Sequence, residues 1–221
     1  MGDPVKGKSD AGRRRELRAQ QTRRRIIEES LTLFLDRGYS ATTIEQIARA
    51  AQVAPATVYQ AFGSKRLILT RALDVAVAGD GEPVPLLERA WVDQARAHPD
   101  PSKRLTIVVM NAAEIAARTA PIKEILRDAA ATEPELADLI NQDHQRRYRT
   151  QQQLVAIIAG EGQLCDDTSL EQATATFYAL VNSHTYAVLA DQLHWSLTDW
   201  QSWLVALLHR ELLGTQPSEP T

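Results

Sequence analysis

The chain has 221 residues, enough for one large or two small packed domains, and its lone Cys165 excludes an intrachain disulfide. Apolar runs are interrupted every few positions by Glu, Arg, Asp or Gln, short of the ~20 residues of a membrane span, so a soluble protein of a reducing cytoplasm is expected, with no membrane partner. The net charge of -3 conceals a basic head, with 14 Lys+Arg against 8 Asp+Glu in residues 1–78, on an acidic remainder with 11 against 20; a polyanion bound by the head and a merely solvated basic tail both fit these counts.

The opening MGDPVKGKSDAG is polar and glycine-rich, so residues 1–20 are expected to form a flexible basic arm. From Gln21 the stripe Ile26, Ile27, Leu31, Phe34 and Leu35 predicts a first helix, ended by Gly38. Thr42-Thr43 offers an N-cap with Glu45 or Gln46 as its capping-box partner, and Ile44, Ile47 and Ala48 give a second, short helix its buried face. Pro55 suits the first position of a third helix that Gly63 ends. Ser64 then caps a fourth running to Ala78.

Residues 79–85, GDGEPVP, break the pattern and are expected to join two parts. Beyond them helices are predicted at roughly 86–97, 102–118, 121–131, 134–159, 169–190 and 198–213, followed by a loose tail at 214–221. No alternating strand is seen, so the fold is predicted to be all-α. An N-terminal helix-turn-helix domain is expected at 21–78, including the linking helix 64–78, and a larger helical domain at 86–213.

The third helix, from VAPATVYQAF, carries no charge. A period of 3.6 residues puts Val58 and Phe62 on one side and Ala56, Tyr59, Gln60 and Gly63 on another. Two short helices joined by a tight turn describe a helix-turn-helix, whose second helix fits a DNA major groove about 12 Å wide. In that setting Gln60 can pair with an adenine, Thr57 can reach a base edge or phosphate, Pro55 and Ala56 can meet a thymine methyl, and Tyr59 can donate to a phosphate. Ser64 and Lys65 at the start of the fourth helix, and Thr42 and Thr43 at the second, offer further phosphate contacts. Arg23, Arg24 and Arg25 can add nonspecific attraction, as can Arg13 to Arg15 and Arg18.

Thr42-Thr43-Ile44, Ile47-Ala48, Ala50-Ala51, Val53, Thr57-Val58-Tyr59, Phe62 and Ser64-Lys65, with Gly38-Tyr39 and a helix carrying Phe34 before them, resemble the DNA-binding signature of the tetracycline-repressor (TetR) family. Two positions depart from that signature: Gln52 replaces a glycine usual in the turn, and Ala54 replaces a serine that often caps the recognition helix. The resemblance implies a homodimer, a roughly palindromic double-stranded operator and a small-molecule effector enclosed by the middle helices of the body.

On those helices Trp91, Met110, Asn111, Glu114, His144 and Tyr148 are pocket candidates that would equally suit core or surface. Two stripes, Phe177, Leu180, Val181, His184 and Val188, then Trp200, Trp203, Leu204, Leu207 and Leu208, demand burial either in the chain's own core or between copies of it. Scattered histidines without HExxH, and no phosphate-binding glycine loop, give no expectation of a metal or cofactor. The leading reading is a repressor released from its operator by an effector. Its alternatives are a DNA-binding regulator whose body takes a protein partner or only dimerises, and an enzyme using Glu114 and His144 as acid and base, for which no catalytic constellation is apparent.

Overall fold

Amphipathic stripes and well-placed caps organise the chain into helices throughout its described length. The computed structural model describes residues 10–79, 84–131, 133–160, 164–165 and 168–214. Among these residues lie ten α-helices: α1 Asp10–Arg37, α2 Ile44–Ala50, α3 Pro55–Phe62, α4 Lys65–Ala78, α5 Ala90–Ala97, α6 Pro101–Ala130, α7 Pro134–Ala159, α8 Leu170–Leu180, α9 Ser183–Leu193 and α10 Leu197–Leu213. A short 3-10 turn, Leu86–Glu88, precedes α5. The chain divides into two compact units after Ala72, inside α4 rather than at that helix's end. The predicted tail beyond Gly214, most of the linker and the first nine residues lie outside the described residues.

In the first unit Ile26, Phe34, Ile47, Val58, Ile68 and Leu69 are almost fully buried, each contributing about 1.5–3 kcal/mol by leaving water. The Phe34 and Tyr39 rings meet at 5.0 Å. Residues 10–20, expected as a flexible arm, are instead the first turns of α1. The sequence DAGRRRELRAQ explains this, since its arginines, Glu16, Leu17, Ala19 and Gln20 are good helix formers that extend a helix already nucleated by the buried stripe.

The second unit is built around α6, which packs against α5, α7, α9 and α10, while α8 lies on α7. By length and hydropathy α6 resembles a membrane span; its Leu105, Val108, Val109, Ala113 and Leu126 are core residues instead. Two expected helices, 102–118 and 121–131, are this single helix. Pro121 forfeits one backbone hydrogen bond, at a cost of roughly 3 kcal/mol, but its ring is exposed and Ile122, Ile125, Leu126 and Ala129 anchor the helix over the following turns.

Conversely, the single helix expected at 169–190 is broken at Val181. Asn182 adopts extended backbone and caps α9, accepting from the Thr185 amide at 2.9 Å while its Nδ2 donates to the Ala179 carbonyl at 2.6 Å. The apolar stripes also divide. Phe177, Val181, Trp200, Leu204 and Leu208 are enclosed in the unit's own core, so the expectation that they face a second copy is corrected; Leu180, His184, Val188, Trp203 and Leu207 retain exposure.

Asp100 caps α6 through the Ser102 amide at 2.8 Å, and that backbone donor chiefly holds its carboxyl below the ordinary carboxylate value. A lowered folded pKa stabilises the fold above the unfolded value near 4 and ceases to do so as pH falls through the folded value. Asp100→Ala is expected to cost about 1 kcal/mol in urea unfolding at pH 7, with the gap to the native protein closing as the pH drops below about 4.

Candidate nucleic-acid interface and a cationic cavity

The geometry of the first unit is set by how α2 ends. The Val53 amide donates to the Ala48 carbonyl at 2.9 Å and the Gln52 amide to Arg49 at 3.2 Å, a paired closure that requires a left-handed residue between them. Gln52 supplies it with φ 53°. That closure turns the chain sharply into α3, whose first residue is Pro55 and whose preceding Ala54 makes no side-chain cap. Both departures from the family signature are therefore accommodated by ordinary helix chemistry. At the other end of α2, Thr43 and Gln46 form the reciprocal capping box, so Gln46 rather than Glu45 is the partner.

Val58 on α3 is fully buried, whereas Pro55, Ala56, Tyr59, Gln60 and Gly63 are exposed, as the helical projection predicts; Thr57 is half-buried. Tyr59 is 52% exposed although it is a large aromatic side chain. The exposed surface of α3 thus consists of small groups, one hydroxyl and one amide, with no charge to favour or repel a particular base. Ser64 caps α4 by accepting from the Leu67 amide at 3.2 Å.

Thr42 is a correction to the predicted DNA contacts. It is 1% exposed, and its hydroxyl donates to the Gly38 and Leu33 carbonyls at 2.9 and 3.3 Å, clamping the end of α1 to the turn. Such a group cannot reach a phosphate. Lys65 is engaged internally as well, since its ammonium donates to the Tyr39 carbonyl at 2.9 Å and sits 4.4 Å from the centre of the Tyr39 ring. Thr43, Arg23, Arg24 and Arg25 are exposed, with Arg24 paired to Glu28 at 2.8 Å. Because α1 is helical from Asp10, Arg14, Arg18 and Arg25 recur on the side opposite the buried Ile26, Ser30 and Phe34. At the start of α2, Glu45 stays ionised below the ordinary range because its backbone amide, and then the Thr43 hydroxyl, bind its carboxylate.

The second unit contains a cavity of about 710 Å³. Leu73, Val77, Trp91, Ile115, Leu154 and Val181 supply apolar wall, and α4, α5, α6, α7 and the α8–α9 break all contribute. Of the six pocket candidates, Trp91, Asn111 and Glu114 line it. Met110, His144 and Tyr148 do not: the Met110 carbonyl accepts from Gln201 on α10, and Tyr148 meets the Tyr178 ring edge-on at 5.5 Å. The imidazole of His144 is exposed but pushed towards neutrality, first by partial desolvation and then by Arg147 and Lys123, with Asp143 opposing. Glu114 lies in the wall beside Arg118 at 3.7 Å, so the acid–base pair weighed with His144 is not assembled.

Sequence reasoning missed the polar wall contributed by α7. Lys123 on α6 and Asp143 on α7 form a largely buried ion pair at 2.9 Å. The Arg147 guanidinium stacks over the Tyr178 ring at 3.7 Å and donates to the Tyr178 and Val181 carbonyls, each at 3.4 Å. Gln151, 6% exposed, donates from Nε2 to the same Val181 carbonyl at 3.0 Å, which fixes the orientation of its amide and leaves Oε1 without a partner. An orphaned buried acceptor costs about 1–3 kcal/mol. The sequence signal for this wall was the Asn182-x-x-Thr185 cap, which breaks the helix and presents the Val181 carbonyl.

Comparison with known proteins adds three findings. Residues 26–72 match the family model for bacterial regulatory proteins of the tetR family. The chain is 47% identical to the HTH-type transcriptional regulator TcmR of Streptomyces glaucescens over 51 residues, 23% of each chain, and 27% identical to the HTH-type transcriptional regulator TtgR of Pseudomonas putida over 174 residues, 77% of this chain and 81% of that one. The match thus spans about a quarter of TcmR and most of TtgR. In fold it is similar to a transcriptional regulator from Saccharomonospora viridis in complex with choline, with TM-score 0.63 and 20% identity over 88% of this chain and 98% of that one.

Gln52→Gly removes the strain of a left-handed side chain at the α2 end. It is expected to raise the stability of the protein by about 1 kcal/mol in urea unfolding, with the helical circular dichroism unchanged.

Proposed function

Because this chain belongs to the TetR family of transcriptional regulators, we propose that it is a ligand-responsive repressor, binding a palindromic operator as a homodimer and leaving it when a small molecule occupies the second unit. The observation that carries this reading is the pairing of two features in one chain: an α3 that exposes an uncharged, sterically open face, and a cavity of about 710 Å³ in the other unit. The fold admits such a ligand, as the choline complex of the Saccharomonospora viridis protein illustrates.

In this reading Gln60, Thr57 and the carbon surface of Pro55 and Ala56 read base edges, while Tyr59, Thr43, Ser64 and the α1 arginines hold phosphates. Lys65 has two ammonium hydrogens left for the same purpose after bonding Tyr39. Glu45 works against close phosphate approach at the start of α2. A two-fold dimer places two copies of α3 about one turn of DNA apart, roughly 34 Å, or a multiple of it, which requires an inverted repeat. Leu180, His184, Val188, Trp203 and Leu207, together with Leu193, which is 59% exposed, are the residues of the two stripes' helices available to that interface.

Release requires that the ligand prefer a conformation in which the reading helices fit DNA poorly, since equal affinity for both conformations shifts nothing. Helix α4 is the covalent route for this effect: its first turn carries Lys65 and its last turns, through Val77 and Ala78, line the cavity. Within the second unit Arg118 donates from Nε to the Ala76 carbonyl at 3.1 Å, tying the cavity wall to the end of that helix.

Selection from a random duplex pool at near-physiological salt tests the reading. The native protein is expected to enrich an inverted repeat that a Tyr59→Phe, Gln60→Ala variant fails to enrich. Binding that is purely salt-sensitive, without sequence enrichment and indifferent to the two substitutions, would overturn it.

A further inference from the structure

The ligand's chemistry is written in the polar wall of the cavity. Among the described residues, Arg89, Arg118, Lys123, Arg146 and Arg147 line it against Asp74, Glu114 and Asp143. Asp143 is taken by Lys123 at 2.9 Å, and Glu114 faces Arg118 at 3.7 Å. Arg146 and Arg147, adjacent on α7, have no carboxylate partner among the described residues. Among the described residues, positive charge without a carboxylate partner is thus concentrated at one place on the wall, beside the break between α8 and α9.

Arg147 is held in position before any ligand arrives. Its guanidinium carbon sits 3.7 Å from the centre of the Tyr178 ring and one of its nitrogens donates to the Tyr178 and Val181 carbonyls, so less side-chain freedom remains to be lost when a planar acid meets its remaining donors. Gln151, one helical turn further along α7, lines the cavity and bonds the same Val181 carbonyl, which leaves its Oε1 a buried acceptor without a donor. The opposite requirement comes from Trp91, Ile115 and Leu154, which give the cavity an apolar side.

Resting on the ligand-responsive reading, we infer that the cavity binds an amphipathic organic anion: an apolar ring system or chain bearing a carboxylate for Arg146 and Arg147 and a hydroxyl or N–H for Gln151. An inorganic anion leaves the apolar side unfilled. A neutral hydrocarbon leaves the acceptor and the cations unanswered, and an organic cation meets like charge.

Four probes on one ring system separate these cases: 6-hydroxy-2-naphthoate, 2-naphthoate, 2-naphthol and 2-naphthylmethylammonium, titrated calorimetrically into the full-length protein at pH 7.5. The hydroxynaphthoate is expected to bind about tenfold or more tightly than naphthol, and the ammonium weakest of all. Arg146→Gln, a change at an exposed residue without a partner among the described residues, is expected to weaken both naphthoates about tenfold and leave naphthol unchanged. Gln151→Met is expected to abolish the preference for the hydroxylated acid, while Arg147→Lys retains part of the affinity for both.

Naphthol or the ammonium binding as tightly as the acids, no binding by any probe, or indifference to Arg146→Gln would overturn the inference. Adding each probe to the complex with selected operator DNA separates the two readings. If the ammonium binds and releases DNA, the anion assignment falls and the ligand-responsive reading stands; if the naphthoates bind as expected but DNA affinity is unchanged, the reverse holds.

Discussion

A helix in water can stop only where its last carbonyls and the next helix's first amides find other partners, and in this all-helical chain that constraint positions both candidate sites. In the first unit Gln52 takes a left-handed conformation so that the amides of Gln52 and Val53 can close α2. The sharp turn that results buries Val58 and leaves Tyr59 and Gln60 outside. In the second unit Asn182 starts a new helix one residue after Val181. The carbonyl of Val181 is then free of the helical ladder and gathers Arg147 and Gln151. Hydrophobic burial decides that these segments pack; the capping groups decide which side chains are left to act.

The same constraint explains what could be read from the sequence. Thr43, Pro55, Gly63 and Ser64 act within a turn of their own positions, so α2, α3 and the start of α4 were legible, and Pro134 and Gly160 bounded α7 in the same way. Local signals failed at two places, once against tertiary burial and once against helix propensity. Pro121 reads as a stop, yet Ile122, Ile125 and Leu126 bury enough surface to carry α6 past it. Arginine-rich, glycine-led sequence reads as a loose arm, yet α1 extends through it.

Site residues divide along similar lines. The exposed face of α3 followed from periodicity because a short helix has one buried side, and Val58 marks it. Thr42 was misread because a threonine before a helix is as good a clamp as a cap, and only its burial distinguishes the two. In the cavity, Trp91, Asn111 and Glu114 were candidates as aromatic or polar residues on the helices that the resemblance assigns to a pocket, whereas Arg146, Arg147 and Gln151 resemble a solvated helix face in a sequence rich in Gln and Arg. The placement of Arg147 and Gln151 depends on a helix break thirty or more residues later in the chain. The apolar stripes of α8 to α10 show the limit of periodicity: Trp200 and Trp203 share a pattern, but Trp200 is wholly buried and Trp203 is not.

If the two units are coupled as proposed, filling the second unit's cavity weakens operator binding by the first, and this can be measured without knowing the natural ligand. Asn111 lines the cavity and, among the described residues, its side-chain nitrogen donates to the Ile107 carbonyl of its own helix, so Asn111→Cys in a Cys165→Ser background provides a handle for N-(1-pyrenyl)maleimide. The dissociation constant for a selected inverted-repeat duplex, measured by fluorescence anisotropy before and after alkylation, should rise at least about tenfold, which corresponds to roughly 1.4 kcal/mol of coupling. An unchanged constant in fully alkylated, folded protein would contradict the coupling.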